Sequence, residues 1–388
     1  MDYYLERLEN ELKKIAIFWS QHLISNEDAS IYPECSTNGT PDKSGDLGSL
    51  YLSRLLYGSS AICNFLNTTD YKVLADLSFK VLYERFRNPA GGFYWAKNQQ
   101  NEIIHDSDNI NMAQAFVLYG LTEYAQLTHN PIVEAEIKKL LIFIHKTIYD
   151  HKHGGYLDGF SDDWKQEKNF TKSLGTHLHF MEAYVKYYQL SGDTQLLPQI
   201  ASLIDLIYNK FIDKNTFECY HSFTPDWNKL PNFNWAGHNA EVSWLLCWAT
   251  QTIKNKDLAD YACNISKKIT EKLIEQAFDK NYGGVFNEIK DGTPTENEKI
   301  WWPQTEAALC CMNAYICTKE KVFLSYGLRL IEYIENTFSD DAHGEWYNSV
   351  TREGMPIDSK PKVYLWKSMY HNVRYCIEMS KMIKILLK

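Results

Sequence analysis

The sequence predicts an all-α fold, an (α/α)6 barrel in which six helical hairpins close into a ring, with short β-hairpins in the loops. Two observations lead to this prediction. A turn-like motif recurs six times at nearly constant spacing, and the apolar residues between the turns repeat with a period near 3.6. We expect residues 1–388 to form one domain.

The recurring motif is an aromatic or apolar residue in a turn, often after two glycines. It occurs at Tyr32, Phe93, Tyr156, Tyr220, Val285 and Trp346. Successive positions are separated by about 61, 63, 64, 65 and 61 residues, so six units fill the chain as in a repeat architecture. Glycine-punctuated segments such as 91–97 and 283–289 are typical of small hairpins.

Each unit is predicted to contain two helices. The twelve helices span residues 3–24, 50–67, 71–87, 109–128, 131–149, 174–191, 194–212, 238–254, 256–278, 303–318, 320–338 and 363–387. Several even-numbered helices are apolar nearly all round, whereas outer ones such as 256–278 keep a charged face. A closed inner ring fits this difference better than an open solenoid, which usually has shorter repeats and polar caps.

Composition excludes several classes of function. A net charge of −9 and a pI near 5.8 disfavour nucleic acid as a partner. The N-terminal segment lacks the uninterrupted apolar run typical of a signal peptide, and no apolar run reaches roughly 20 residues, so we expect a cytoplasmic protein without membrane contact. The nine cysteines are scattered without a Cys-x-x-Cys pair and are expected to be reduced and buried. No metal-binding motif is visible, so we expect no metal and no other cofactor.

Unusual polar and aromatic residues cluster at or just before the starts of the inner helices. They are Arg54, His177, His179, His238, Glu241, Trp302, Glu306, Trp366, His371 and Arg374. If the inner helices run parallel, these side chains meet at one end of the barrel, where helix dipoles favour an anion. Each residue alone also fits a core role, but the same pattern on several helices favours a site.

Helical spacing refines this set. His177 and His179 lie about 200° apart around a helix, so only one of them can face a cavity and the other is structural. Glu241 shares a face with His238, three residues earlier. Such a carboxylate can orient the imidazole, although an ordinary buried ion pair predicts the same spacing. Arg54, on a largely apolar helix, needs an anionic partner, either a protein carboxylate or a substrate oxyanion.

The chain resembles the N-acylglucosamine 2-epimerase superfamily in four segments. They are THLHFMEAY (176–184), GHNAEVSWLL (237–246), WWPQTEA (301–307) and WKSMYHNVRYCIE (366–378). The cellobiose 2-epimerase branch is most similar, because the N-acetylglucosamine branch has a non-histidine segment where His177 and His179 stand here. The resemblance implies a six-hairpin α/α barrel and interconversion of an aldose, either a cellobiose-type disaccharide or a monosaccharide, with its carbon-2 epimer.

The resemblance also implies roles for individual residues. His238 and His371 resemble the two general acid/base groups, His179 resembles an auxiliary histidine, and Arg54 resembles the cation that faces an enediolate. The candidate substrate-binding residues, which include stacking tryptophans and carboxylates, are Glu241, Trp302, Glu306, Trp366, His177 and Arg374. The expected partner is a small-molecule sugar, and the expected assembly is a monomer or a homodimer.

Three departures from the cellobiose branch concern the substrate. Gly175 stands where that branch usually has Asn, and Met112 replaces a usual Tyr. The segment between Trp164 and Thr176 is shorter than usual. These departures affect the expectation of a disaccharide more than that of the reaction type.

Three alternatives to an epimerase stay open. An aldose–ketose isomerase, such as one acting on mannose, would use the same scaffold and return the proton to carbon 1. A glycoside hydrolase normally needs two opposed carboxylates, whereas the recurrent residues here are histidines. An inactive sugar-binding protein would explain Gly175 and Met112, but the presence of both His238 and His371 argues against it.

Overall fold

The computed structural model describes residues 1–25, 30–104, 109–161, 163–165, 171–231 and 234–387. The helices in this part of the chain are α1 (Asp2–His22), α2 (Ser49–Leu66), α3 (Lys72–Val81), α4 (Met112–Thr128), α5 (Pro131–Phe143), α6 (Leu174–Ser191), α7 (Leu197–Leu206), α8 (Ala236–Thr252), α9 (Lys256–Gln276), α10 (Trp301–Thr318), α11 (Lys321–Thr337) and α12 (His371–Leu386). Single π-helical turns extend α3, α5 and α7, at Leu82–Phe86, Ile144–Ile148 and Ile207–Phe211. None of these helices combines the length and the apolar character needed to cross a bilayer.

The even-numbered helices form a closed inner ring. Each contacts the next in the order α2, α4, α6, α8, α10, α12, and α12 contacts α2. The odd-numbered helices pack outside, α3 on α2 and α9 on α8 for example. This closure confirms the predicted (α/α)6 barrel.

The pattern of buried residues differs between the inner and the outer helices. Helix α2 is buried at every position from Ser49 to Cys63, whereas α9 buries one stripe that includes Ala262, Ile269 and Leu273. Inner helices approach each other closely. A Cβ atom on Gly120 of α4 would lie 2.5 Å from the Ser53 carbonyl oxygen of α2, so this crossing requires glycine.

Short strands precede the inner helices and pair with strands that follow the next outer helix. The pairs are Leu47–Gly48 with Ala96–Lys97, Asn109–Ile110 with Gly159–Phe160, Lys172–Ser173 with Ser222–Phe223, Asn234–Trp235 with Glu288–Lys290, and Lys299–Ile300 with Ser349–Val350. Two local hairpins are also present, Glu34–Cys35 with Pro41–Asp42 and Glu288–Lys290 with Thr293–Pro294. The predicted short β-structure is therefore present, and most of it fixes the starts of inner helices.

The repeated turn contains a β-bridge in all six units. The bridge residues on its second arm are Ile31, Phe93, Tyr156, Cys219, Val285 and Trp346. Four of them are the residues predicted from the sequence, but the predicted Tyr32 and Tyr220 lie one position too late. Side chains alternate between the two faces of an extended segment. In these two units the buried bridge residue, Ile31 or Cys219, comes directly before the tyrosine.

Two predictions of local structure were wrong. Helix α12 begins at His371 and not at 363, because the buried Lys367 ammonium donates to the carbonyl oxygens of Lys362 (2.7 Å) and Trp346 (2.8 Å) and holds the preceding segment in a non-helical path. The cysteines are not all reduced. Cys263 of α9 and Cys317 of α10 form a disulfide, and the other seven are free and buried.

Candidate active site

A cavity of about 690 Å³ lies at the end of the barrel where the inner helices begin. Seven of the residues predicted from the sequence line it: Arg54, His179, His238, Glu241, Trp302, Trp366 and His371. Three predicted residues, His177, Glu306 and Arg374, do not. The parallel inner helices thus bring most of the predicted set together at one end.

His371, the first residue of α12, is held by a carboxylate. Its Nδ1 atom lies 2.7 Å from Oε1 of Glu306, on α10. A carboxylate beside Nδ1 accepts a hydrogen bond from Nδ1–H, which keeps the proton on Nδ1 and leaves the lone pair on Nε2. Burial, together with the positive charges of Arg374 and Arg54, holds the pKa of His371 well below its usual range. The imidazole is therefore neutral at neutral pH and able to accept a proton.

His238, the third residue of α8, is less constrained. Its Nδ1 atom is buried and has no hydrogen-bond partner among the described residues. Of the two roles that spacing allows for Glu241, the structure shows the buried ion pair, because its Oε1 accepts a hydrogen bond from Arg374. Burial lowers the pKa of His238 well below its usual range, and the positive charge of Arg54 acts in the same direction. This imidazole is also neutral at neutral pH.

Trp302 lies against both histidines. Its ring centroid is 5.0 Å from that of His238 and 5.4 Å from that of His371. The indole packs on the start of α8 at Gly237, where a Cβ atom would lie 2.5 Å from the Trp302 ring. One indole therefore links the two imidazoles, which come from different helices.

His179 is held by a carboxylate that the sequence analysis did not select. Its Nδ1 atom lies 3.1 Å from Oε2 of Glu182, which also accepts from the Tyr370 hydroxyl at 2.6 Å. Burial would raise the pKa of Glu182, but the charge of Arg374 and the hydrogen bond from His179 lower it to about 2. Glu182 follows His179 by three residues, the same spacing that drew attention to Glu241, so this signal was present in the sequence.

Arg374 was predicted to bind substrate, and the structure places it outside the cavity wall. The side chain is buried and donates to Oε1 of Glu182 (2.7 Å), Oε1 of Glu306 (2.7 Å) and Glu241. Glu306, equally buried, also accepts from the Trp244 indole nitrogen at 3.0 Å. Buried carboxylates need a cation, so Arg374 holds this cluster together and neither Arg374 nor Glu306 reaches the cavity wall.

His177 was also predicted to bind substrate, and the structure places it outside the cavity. Its Nε2 accepts from the Tyr156 amide (2.9 Å), so its Nδ1 donates to the Ser173 carbonyl oxygen (2.8 Å). Burial lowers its pKa to about 3. The backbone satisfies both ring nitrogens, and His177 is thus the structural member of the His177/His179 pair.

Arg54 lines the cavity without a carboxylate partner among the described residues. Its Nη1 donates to the Trp366 carbonyl oxygen at 2.7 Å. Its guanidinium carbon lies 4.1 Å from the centroid of Phe116 and 5.0 Å from that of Tyr370. Burial lowers the Arg54 pKa to about 10, so the side chain stays positively charged at neutral pH.

Three potential metal donors converge beside the cavity, although the sequence suggested no such set. Atoms of Glu241, Glu306 and His371 all lie within 4.8 Å of one another. They come from three different helices, which is why no local motif shows them. Arg374 donates to both carboxylates and supplies the positive charge that a metal ion would otherwise supply.

Of the two unusual residues of the sequence, Gly175 lies beside His238, and Met112 lies beside Gly175. A Cβ atom on Gly175 would lie 3.6 Å from the Met112 sulfur and 4.0 Å from Nε2 of His238. Gly175 and Met112 therefore make this part of the wall apolar, and a side chain at position 175 would make ordinary contact with Met112. The shortened segment between Trp164 and Thr176 includes residues 166–170, which lie outside the described residues.

Further residues that the sequence analysis missed complete the wall. They include His221, Trp235, Asn348 and Tyr364. They lie in strands and loops that neighbour the helix starts only after the barrel has closed. Burial lowers the pKa of His221 to about 4.

Comparisons with known proteins agree in fold and sequence. A family model described as N-acylglucosamine 2-epimerase matches residues 31–374. A cellobiose 2-epimerase of Dictyoglomus turgidum is 32% identical, over 97% of this chain and 98% of its own length. The structure of cellobiose 2-epimerase from Bacillus thermoamylovorans has a TM-score of 0.90 at 28% identity, covering 98% of this chain and 100% of that chain. A D-mannose isomerase of Marinomonas mediterranea is 24% identical over 85% of each chain.

Proposed function

Since the chain belongs to the N-acylglucosamine 2-epimerase family, we propose that it interconverts an aldose and its carbon-2 epimer through an enediolate, with His238 and His371 as the proton-transfer groups. The family and the isomerase class predicted from the sequence are confirmed by these relatives. The substrate is a small sugar. We further propose that residues 1–388 act as one catalytic domain, because the cavity wall extends from Arg54 to His371.

One observation carries this proposal. Two neutral histidines from different helices, His238 and His371, both lie against the same indole ring, that of Trp302. A sugar stacked on that indole by its apolar face would have a carbon within reach of both imidazoles. Two proton-transfer groups around one carbon are what inversion at carbon 2 requires.

The chemistry follows from the protonation states. The proton on carbon 2 of an open-chain aldose lies beside the carbonyl group. A neutral imidazole removes it, and the electrons delocalise onto the carbonyl oxygen. The other imidazole takes up a proton from solvent beside the enediolate and returns it to the opposite face of carbon 2, while the first histidine releases its proton to solvent. Low pKa values keep both imidazoles available as bases at neutral pH.

The developing negative charge needs a preorganised cation. Arg54 supplies it, because this guanidinium lines the cavity and is not neutralised by a carboxylate of the described residues. The starts of α6, α8, α10 and α12 add their partial positive charges at the same end. A metal ion is not needed for this stabilisation.

Ring opening precedes proton transfer at carbon 2. We assign it to His179, whose Nδ1–H donates to Glu182 and whose Nε2 is then an acceptor on the cavity side. Trp366, 37% exposed at the cavity wall, is positioned to stack on the sugar, and Glu241 to bind a hydroxyl group.

An aldose–ketose isomerase is the second candidate. The relative from Marinomonas mediterranea is named a D-mannose isomerase, and the wall beside His238 is altered by Gly175 and Met112. In that reaction the proton returns to carbon 1, and one histidine could serve both steps.

An incubation in heavy water separates these functions. A panel of aldoses, containing cellobiose, glucose, mannose and their N-acetylated forms, is followed by NMR for carbon-2 deuterium and for products. We expect carbon-2 exchange together with the carbon-2 epimer. A ketose as the main product would support the isomerase, and no exchange with any aldose would contradict the proposal.

A further inference from the structure

Arg54 packs against aromatic rings, whereas a buried arginine usually binds a carboxylate. The guanidinium is 4.1 Å from the Phe116 centroid and 5.0 Å from the Tyr370 centroid, and its Nε has no hydrogen-bond partner among the described residues. Its hydrogen bond to the Trp366 carbonyl oxygen leaves further N–H groups unused. Such a cation keeps a strong tendency to bind an anion.

Three buried carboxylates lie in the same region, and Arg374 binds all of them: Glu182, Glu241 and Glu306. Glu241 and Glu182 still attract the Arg54 charge. Oε2 of Glu241 is buried and has no partner among the described residues. An Arg54 side chain free to turn would therefore find a protein carboxylate, and electrostatic attraction in a buried environment would favour that contact.

We propose that Phe116 and Tyr370 are positioning residues that hold the Arg54 guanidinium away from these carboxylates and toward the cavity. Phe116 lies on α4 and Tyr370 immediately before α12, and the two rings meet edge to face with centroids 4.7 Å apart. Together they form a corner whose ring faces attract a guanidinium. The kinetic consequence of this corner depends on the proposed function, but the orientation of Arg54 does not.

The variants are chosen to separate the effect of the Tyr370 ring from that of its hydroxyl group. Phe116→Leu and Tyr370→Leu each remove one wall of the corner. Tyr370→Phe keeps the ring but loses the hydroxyl group, which donates to Glu182 and accepts from Arg374. Tyr51→Leu is the matched control, because Tyr51 is fully buried and also donates one hydrogen bond, to the Tyr32 carbonyl oxygen, away from the cavity.

Crystal structures of the variants test the orientation directly. We expect the Arg54 guanidinium in Phe116→Leu or Tyr370→Leu to turn and lie within salt-bridge distance of Glu182 or Glu241, and to keep its position in Tyr370→Phe and Tyr51→Leu. An Arg54 side chain that still faces the cavity without a carboxylate in both leucine variants would overturn the inference. This readout holds even if the protein catalyses no aldose exchange.

Kinetics give the second readout. We expect kcat for carbon-2 exchange to fall about 10²-fold in Phe116→Leu, the usual effect of losing one oxyanion-stabilising group, with a much smaller change in KM. Tyr370→Phe should restore most of the activity lost in Tyr370→Leu. Equal losses in Tyr370→Phe and Tyr370→Leu would assign the effect to the hydroxyl group and overturn the role of the ring. If Tyr370→Leu does not fold, Phe116→Leu decides the question alone.

Discussion

His371 and His238 occupy similar places but are supported differently. Both lie at the start of an inner helix and contact Trp302, and burial lowers the pKa of both. Glu306 fixes the tautomer of His371 through Nδ1, whereas Nδ1 of His238 has no partner among the described residues. A two-base site can therefore combine one preoriented imidazole with one that is free to change tautomer as substrate binds.

Loss of either histidine should have the largest effect. In His238→Asn or His371→Asn, a polar side chain of similar size remains, so we expect the fold to be kept. Epimerisation should fall by about 10²-fold or more, the usual contribution of a general acid or base. Circular dichroism and thermal unfolding serve as the control for folding. Near-normal epimerisation in either variant would contradict the assignment.

Glu306→Gln tests how much the carboxylate charge contributes to the function of His371. The amide oxygen can still accept from Nδ1, but the charge that raises the basicity of the imidazole is lost. We expect kcat to fall about tenfold, equivalent to about 1.4 kcal/mol. Glu123→Gln is the matched control, since Glu123 is also buried but pairs with Lys186 and Asn64 away from the cavity. Unchanged turnover in Glu306→Gln would show that this carboxylate is only structural.

The pH dependence should reflect the neutral state that the two histidines share. Burial lowers both pKa values, so each imidazole becomes protonated, and loses its action as a base, only at a pH below the ordinary histidine value of about 6.5. We expect kcat/KM to stay level from pH 8 down to about 6.5 and to fall below that. Half-loss of kcat/KM at or above pH 6.5, with the protein still folded, would contradict this account.

The smallest expected effect is that of a chelator. Arg374 already balances the carboxylates beside His371, so we expect incubation with EDTA to leave turnover unchanged. Activity lost with EDTA and restored by a divalent cation would assign a metal to Glu241, Glu306 and His371.

The barrel could be predicted from the sequence because its signals are local. Several inner helices are apolar nearly all round, an outer helix such as α9 has one buried stripe, and the turns recur once per unit. The start of helix α12 has no local signal in the sequence. It depends on Lys367, whose partners include Glu345 and Trp346, about twenty residues earlier.

The candidate site was predictable to the level of which residues cluster, but not of which bind each other. Spacing allowed Glu241 to be either the partner of His238 or part of a buried ion pair, and only the structure shows that Arg374 from α12 binds that carboxylate. The disulfide joins Cys263 and Cys317, 54 residues apart, so no short motif shows it. Such pairings depend on the closure of the ring, which composition and periodicity do not describe.

The most direct test of the central claim follows exchange and epimerisation separately in His238→Asn and His371→Asn. Each variant is incubated with each of the two epimers in heavy water, and NMR measures carbon-2 deuterium and the product. With one histidine removed, the other can still exchange the proton on its own face. We therefore expect each variant to exchange one epimer at a measurable rate while forming little of the other, with the favoured epimer reversed between the variants. Exchange and epimerisation that fall together in both variants, for both epimers, would contradict the two-histidine mechanism.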